Sequence, residues 1–235
     1  MNNLNRKTAN ITTKLPIKVV QFGEGNFLRA FVDYIIDRLN TDTGFNAGVA
    51  VVQPLNGGLI PLLNEQDGLY TLFMRGIKKG NIIDENRLIS CIQKAINPYS
   101  DYDGYLALAQ EESLEFLISN TTESGIAYDP SDTGFDSCPS SFPAKVTALL
   151  YKRFQHFNGA SNKGLTIIPC ELINYNAETL KGIILQYAAD WNLGQDFMAW
   201  IEEHNSFHNT LVDRIVPGYP KDDIESYEAK LEYKD

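Results

Sequence analysis

Lys18-Val19-Val20-Gln21-Phe22, then Gly23-Glu24-Gly25-Asn26, then Phe27-Leu28-Arg29-Ala30-Phe31-Val32 reads as a buried strand, a glycine turn and the opening of an amphipathic helix. Leu28, Phe31, Val32, Ile35 and Leu39 recur at helical spacing, which predicts one face turned toward a sheet. A helix that begins straight after such a turn presents free backbone N–H groups, and the positive end of its dipole, to the crevice above the sheet. Anions settle there, a dinucleotide's pyrophosphate most commonly. Paired glycines let the phosphates approach without a Cβ in the way. The turn departs from the full G-x-G-x-x-G pattern at Leu28, so alone it reads either as a phosphate cradle or as an ordinary tight turn.

Working outward, Gly48-Val49-Ala50-Val51-Val52-Gln53 is a second buried strand. A dinucleotide site expects an acid at its end to hold the adenine ribose; Gln53 stands there, with an amide able to bond a hydroxyl. Residues 57–97 break the simple crossover. Leu69 to Met74 looks like a strand, Lys78-Lys79-Gly80-Asn81 like a turn and Leu88 to Ile92 like one more extended piece, an antiparallel insertion at a sheet edge. A helix at Gly104 to Glu111, a strand at Leu114 to Ile118, a loop at Ile126 to Pro143 and a helix at Ala144 to Phe157 follow. Next come a strand at Leu165 to Ile168 and helical spacing through Leu180, Ile183, Ile184, Tyr187 and Trp191, with a shorter helix at Asp196 to His204. Strands alternating with helices predict an α/β, Rossmann-like fold: a mainly parallel sheet with helices on both faces.

The chain has 20 basic against 30 acidic residues, a net charge of −10, which repels a phosphate-coated partner and argues against nucleic acid. Three widely spaced cysteines without a C-x-x-C pair suit a reducing compartment and give neither a disulfide framework nor a zinc site. His204 and His208 stand four apart across what reads as a helix end, so no metal site is expected. The polar start from Met1 to Lys14 lacks a signal-peptide core, and no apolar run nears the roughly 20 residues that cross a bilayer. These features predict a cytoplasmic protein with no membrane partner.

In an open parallel sheet, ligands bind beyond the carboxyl ends of the strands. Three polar clusters fall at such ends: Gly23 to Asn26, Asn120 to Glu123, and Cys170 to Asn176. Thr121, Thr122 and Glu123 read equally as caps or as ligand contacts. Cys170 reads as a small buried hydrophobe ahead of a nucleophile. Asp213 beside Arg214 reads as an ion pair at a strand end, or as an acid beside the site. Reduction of a carbonyl needs a tuned proton donor, and no Tyr-x-x-x-Lys pair follows the cofactor strands, so a cofactor platform is better supported than a complete active site.

Gln21 to Phe31, Ser119 to Glu123, Ile168 to Ile173, and Ser206 to Ile215 together resemble, in order and over nearly the whole chain, the mannitol dehydrogenase family of long-chain polyol dehydrogenases. Within it the likeness is to the branch acting on tagaturonate and altronate. The resemblance implies NAD(H) as cofactor, no metal in catalysis and a keto-sugar acid as substrate. It implies that Gly23, Gly25, Asn26 and Phe27 cradle the pyrophosphate with Arg29 beside it, and that Thr121, Thr122 and Glu123 line the cofactor crevice; Gln53 completes the cofactor set. Where the family has an alkoxide-holding Asn in the third cluster, this chain has Leu172, which passes that role to Asn174 or Asn176. Asn176 and Asp213 are the catalytic candidates within the chain. The family's principal Lys, in a K-x-x-x-x-N-x-x-H helix, belongs to a following helical domain, so residues 1–235 are expected to be the NAD-binding half of a longer enzyme. A fructuronate or polyol relative, or a nucleotide-binding module without catalysis, remains an alternative.

Overall fold

Strands as continuously apolar as Val49 to Val52 must be covered on both faces, and that requirement organises the fold. The computed structural model describes residues 2–122, 124–212, 214–231 and 233–235. Its strands are β1 (Asn2–Asn3), β2 (Ile17–Phe22), β3 (Gly48–Val52), β4 (Tyr70–Lys78), β5 (Asn81–Ile89), β6 (Ile92–Ile96), β7 (Phe116–Ser119), β8 (Thr166–Pro169), β9 (Ser206–Phe207) and β10 (Tyr233–Lys234). Its α-helices are α1 (Asn26–Leu28), α2 (Tyr34–Thr43), α3 (Ile60–Glu65), α4 (Tyr102–Ala107), α5 (Phe142–His156), α6 (Asn176–Asp190), α7 (Gln195–His204) and α8 (Ile224–Glu228).

Six strands form one sheet in the order β6-β3-β2-β7-β8-β9, with every pairing parallel. Strand order reverses at β2: β3 and β6 lie on one side and β7, β8 and β9 on the other. A ligand crevice opens at that switch, above the ends of β2 and β7. Side chains alternate between two cores. Val20, Phe22, Ala50, Val52, Leu117 and Ile167 pack under α5, α6 and α7 through Val146, Leu150, Leu180, Ile184, Phe197 and Trp200. Val19, Val49, Val51 and Ile118 pack on the opposite face under Leu28, Val32, Ile36, Ile60 and Leu63. This is the Rossmann-like architecture expected, with helices on both faces.

Two local readings are corrected. The first concerns the helix after the turn. Ile35 and Leu39 are 41% and 38% exposed, while Ile36 and Asp37 are buried. Arg29–Asp33 is π-helical between α1 and α2. The extra residue in that turn shifts the phase, so burial runs through Leu28, Val32 and Ile36 instead of continuing to Ile35 and Leu39. The widened turn also presents carbonyls to other partners: the Tyr70 hydroxyl donates to Arg29 O at 2.7 Å, and the Cys91 thiol lies 3.4 Å from Asp33 O.

The second concerns Leu88 to Ile92. The antiparallel pair expected within residues 57–97 is present: β4 and β5 form a hairpin through Lys79-Gly80, as a two-stranded sheet of their own. Leu88 to Ile92 is not a single extended piece. The buried Asp37 carboxylate accepts the Ser90 N–H at 3.0 Å and Arg87 Nε at 2.7 Å, and the chain turns there. It then enters the main sheet as β6 beside β3.

Candidate functional site

At the end of β2 the two turn glycines serve different needs. Gly23 has φ +118°, and its N–H donates to Val52 O at 3.0 Å. A Cβ there would lie 2.6 Å from Asn120 O and 3.2 Å from Leu28 Cδ1. The fold therefore demands glycine at 23, because the turn lies against the end of β7 with Leu28 packed over it. Gly25 is extended, with φ −68° and ψ 164°, and a Cβ on it would meet nothing within 4 Å. It caps α1 with no side-chain hydrogen bond, so no cap side chain satisfies the first helical N–H groups. Phe27 packs against Phe31 with ring centroids 5.7 Å apart. The Arg29 guanidinium donates to Asn26 Oδ1 and stands 5.2 Å over the Tyr70 ring, with its buried Nε unpartnered among the described residues.

Beneath this turn lies a buried polar cluster. Gln21 Nε2 donates to Gly23 O at 3.1 Å and reaches Asp33 Oδ2 at 3.4 Å, and the Tyr70 hydroxyl approaches the same carboxyl oxygen at 3.2 Å. Burial pushes the Asp33 carboxyl up to about 7, against the hydrogen bonds from Gln21 and Tyr70 and the nearby Arg29 charge. A trans peptide points its C=O and N–H in opposite directions. Gln21, by drawing Gly23 O inward, turns the Glu24 N–H the other way. Periodicity missed this cluster; its visible signal was a Gln and an Asp at positions that otherwise read as apolar.

The second cluster joins the ends of β7 and β8. The buried Glu171 carboxylate accepts Ser119 Oγ, Thr121 N and Thr121 Oγ1, each at 3.0 Å. Burial raises its pKa and these donors oppose the rise. Asn120 Nδ2 donates to Cys170 O at 2.6 Å. Thr122, a β-branched residue, is held at φ +115°, a strained conformation that costs on the order of 1–3 kcal/mol. Thr121 and Thr122 border a cavity of about 390 Å³ that Pro54, Leu55, Tyr128 and Phe142 also line. That volume falls within the range of small-ligand pockets, roughly 300–1,000 Å³. Glu123 lies outside the described residues.

Gln53 is turned away from the crevice. It is 1% exposed, its Nε2 donates to Leu55 O and Asn56 O at 2.8 and 3.0 Å, and its Oε1 accepts the Ile60 N–H at 3.4 Å. Its amide holds the loop after β3 and has no free edge for a ribose.

The third cluster is structural at its centre. Asn176 is fully buried; its Nδ2 donates to Pro169 O and Glu171 O, both at 3.1 Å, and to Thr210 Oγ1 at 3.1 Å, while its Oδ1 accepts the Thr210 N–H at 3.1 Å. A residue so fully engaged does not hold a substrate alkoxide, which corrects its reading as a catalytic candidate. Leu172 is 62% exposed and Asn174 is exposed. Burial pushes the Cys170 thiol up to about 12, the state of a buried small hydrophobe and not of a nucleophile. Asp213 lies outside the described residues.

Residues 17–235 match the family model described as the mannitol dehydrogenase Rossmann domain. The chain is 51% identical over 221 residues to an altronate oxidoreductase of Yersinia enterocolitica, covering 94% of this chain and 46% of that protein. It is 50% identical over 235 residues to an altronate oxidoreductase of Bacillus subtilis, covering 100% of this chain and 49% of that protein. Among solved structures, Pseudomonas fluorescens mannitol 2-dehydrogenase in ternary complex with NAD and D-mannitol superposes with a TM-score of 0.75 at 21% identity, over 97% of this chain and 50% of that one. A D-sorbitol dehydrogenase in substrate-free form gives 0.78 at 19% identity, over 99% and 52%. The chain thus spans about half the length of the curated relatives it matches. It belongs to the mannitol dehydrogenase family, and it carries that family's Rossmann domain.

Proposed function

We propose that this chain is the NAD-binding half of an NADH-dependent tagaturonate reductase, also called altronate oxidoreductase, acting in galacturonate breakdown. The observation that carries the reading is the contrast at the glycine turn. The fold needs glycine at 23, whereas at 25 the space a Cβ would fill is open to an incoming ligand. Identity near 50% to altronate oxidoreductases supports the substrate branch over fructuronate or polyol relatives.

The residues present fit the cofactor. Gly25, Asn26 and Phe27 would offer backbone N–H groups, and Gly25 open space, to the pyrophosphate; Gly23, its own N–H bonded to Val52 O, shapes the turn, and Arg29 adds a cation whose Nε is unpartnered among the described residues. Thr121 and Thr122 border the cavity at the end of β7, whose volume suits the adenosine end; the role expected of Glu123 falls outside the described residues. Bound NADH would supply the hydride. The chain's own residues hold and orient it and keep the crevice shaped through the Glu171 bonds. Proton transfer to the sugar-acid oxygen is assigned to the Lys of the family's second, helical domain.

The expected outcome is that this chain quenches or enhances NADH fluorescence on titration yet leaves tagaturonate unreduced. A longer protein bearing the K-x-x-x-x-N-x-x-H helix is expected to turn over and to lose turnover when its Lys is changed. Tagaturonate reduction by residues 1–235 alone overturns the division of labour. Absence of NADH binding overturns the cofactor role.

A further inference from the structure

Gln53 leaves a question at the end of β3. The ribose of a dinucleotide lies there and commonly donates its hydroxyls to a carboxylate. The amide at this position is consumed by Leu55 O, Asn56 O and the Ile60 N–H. A different side chain brings a carboxylate to the same place. A Cβ built on Gly58 would collide with Glu24 Oε1 and would lie 2.5 Å from Gln53 Oε1, so both oxygens crowd one point above that glycine. Glu24 sits between the two turn glycines at the end of β2, and its carboxylate reaches the loop after β3.

We propose that Glu24 is the ribose-reading residue of this site, its carboxylate accepting the adenine-ribose hydroxyls and thereby selecting NADH over NADPH. The inference rests on the cofactor reading given above and deepens it. Three further features support it. The Glu24 carboxylate is half-buried: burial raises its pKa, and the N–H groups of Glu24 and Leu59 and the charge of Arg29 oppose that rise. A carboxylate stabilised by neutral backbone donors keeps lone pairs for hydroxyl donors and makes strong charge-assisted bonds. Residues 54–59 read Pro-Leu-Asn-Gly-Gly-Leu, with no Lys or Arg to meet a 2′-phosphate. Gly58 is the accommodation for this arrangement, since any larger residue would displace both Glu24 and Gln53.

The test is a fluorescence titration of NADH and NADPH into this chain and into Glu24→Gln and Glu24→Lys, with melting curves to confirm folding. The unmodified chain is expected to prefer NADH at least tenfold. Glu24→Gln is expected to weaken NADH roughly 10- to 100-fold, the range for losing a charged hydrogen-bond acceptor, without weakening NADPH. Glu24→Lys is expected to reverse the preference. A measurement that needs no variant is competition of 5′-ADP and 2′-deoxy-5′-ADP against bound NADH on the unmodified chain, where loss of the 2′-hydroxyl is expected to weaken competition. Unchanged NADH affinity in folded Glu24→Gln, or equal competition by the two nucleotides, overturns the role of Glu24 while the cofactor site stands. An unmodified chain that binds no NADH overturns the site itself.

Discussion

At the residue scale, two glycines two positions apart separate what the fold needs from what a ligand needs. Gly23 has a positive φ and a backbone oxygen 2.6 Å from where its Cβ would be, so substitution there strains the protein directly. Gly25 has an extended conformation open to any residue and empty space around it. Gly25→Val is therefore expected to change stability by no more than about 1 kcal/mol, the scale of a cap exchange. NADH affinity is expected to fall at least about tenfold as the valine intrudes on the phosphates. A calorimetric titration checks this, and unchanged affinity in a folded sample removes the turn from the cofactor site. Asp33 gives a second prediction. Its carboxyl is raised from 3.8 to about 7 by burial, with Oδ1 and the neighbouring Gln21 Oε1 unpartnered among the described residues. The native state holds a proton there that the unfolded chain has released, so stability is full below about pH 4 and falls as pH rises toward 7. Each pKa unit of difference corresponds to about 1.4 kcal/mol. Asp33→Asn is expected to flatten that decline and to leave the variant more stable than the parent at pH 8, as measured by urea midpoints across pH. A steeper decline in the variant excludes the neutral acid.

At the element scale, the helix after the turn shows how one inserted residue redirects packing. The π-helical stretch Arg29–Asp33 rotates α2, buries Ile36 and Asp37, and places Asp37 where it captures Ser90 and Arg87. That capture ends β5 and starts β6. Asn176 does equivalent work at the other end of the sheet, tying the first turn of α6 to the end of β8 and to Thr210 after β9. Asn176→Ala leaves several buried polar groups without partners, so a loss of about 2–4 kcal/mol is expected in denaturant unfolding. NADH affinity is expected to stay within a few-fold of the parent. A large loss of affinity with unchanged stability points instead to a ligand-contact role.

At the scale of the whole molecule, strand order decides where chemistry can occur. The reversal between β3 and β7 around β2 sets the turn at Gly23 against Asn120 at the end of β7, just before Thr121 and Thr122, although they are distant in sequence. Parallel pairing aligns the carboxyl ends of β2, β7 and β8, and Glu171 stitches the latter two through Ser119 and Thr121. The acidic balance of the chain is compatible with the proposed phosphate site, because oriented N–H groups act over short range, whereas net charge is screened beyond about 8–10 Å.

Apolar runs and glycine positions were enough to predict the parallel α/β sheet, the turn at Gly23–Asn26 and the positions of most helices. Those features follow from period and local conformation, which a linear sequence displays. The partners of polar side chains were decided only in three dimensions. Gln53 turned into its own loop, Asn176 became a structural pin, and Ile35 and Leu39 were left outside by the π-helical turn. Glu24 came to the end of β3 because the Gly58 backbone makes room for it. A hydrogen bond depends on separations of a fraction of an ångström and on direction, and these arise from how strands and loops are brought together, not from the order of residues along them.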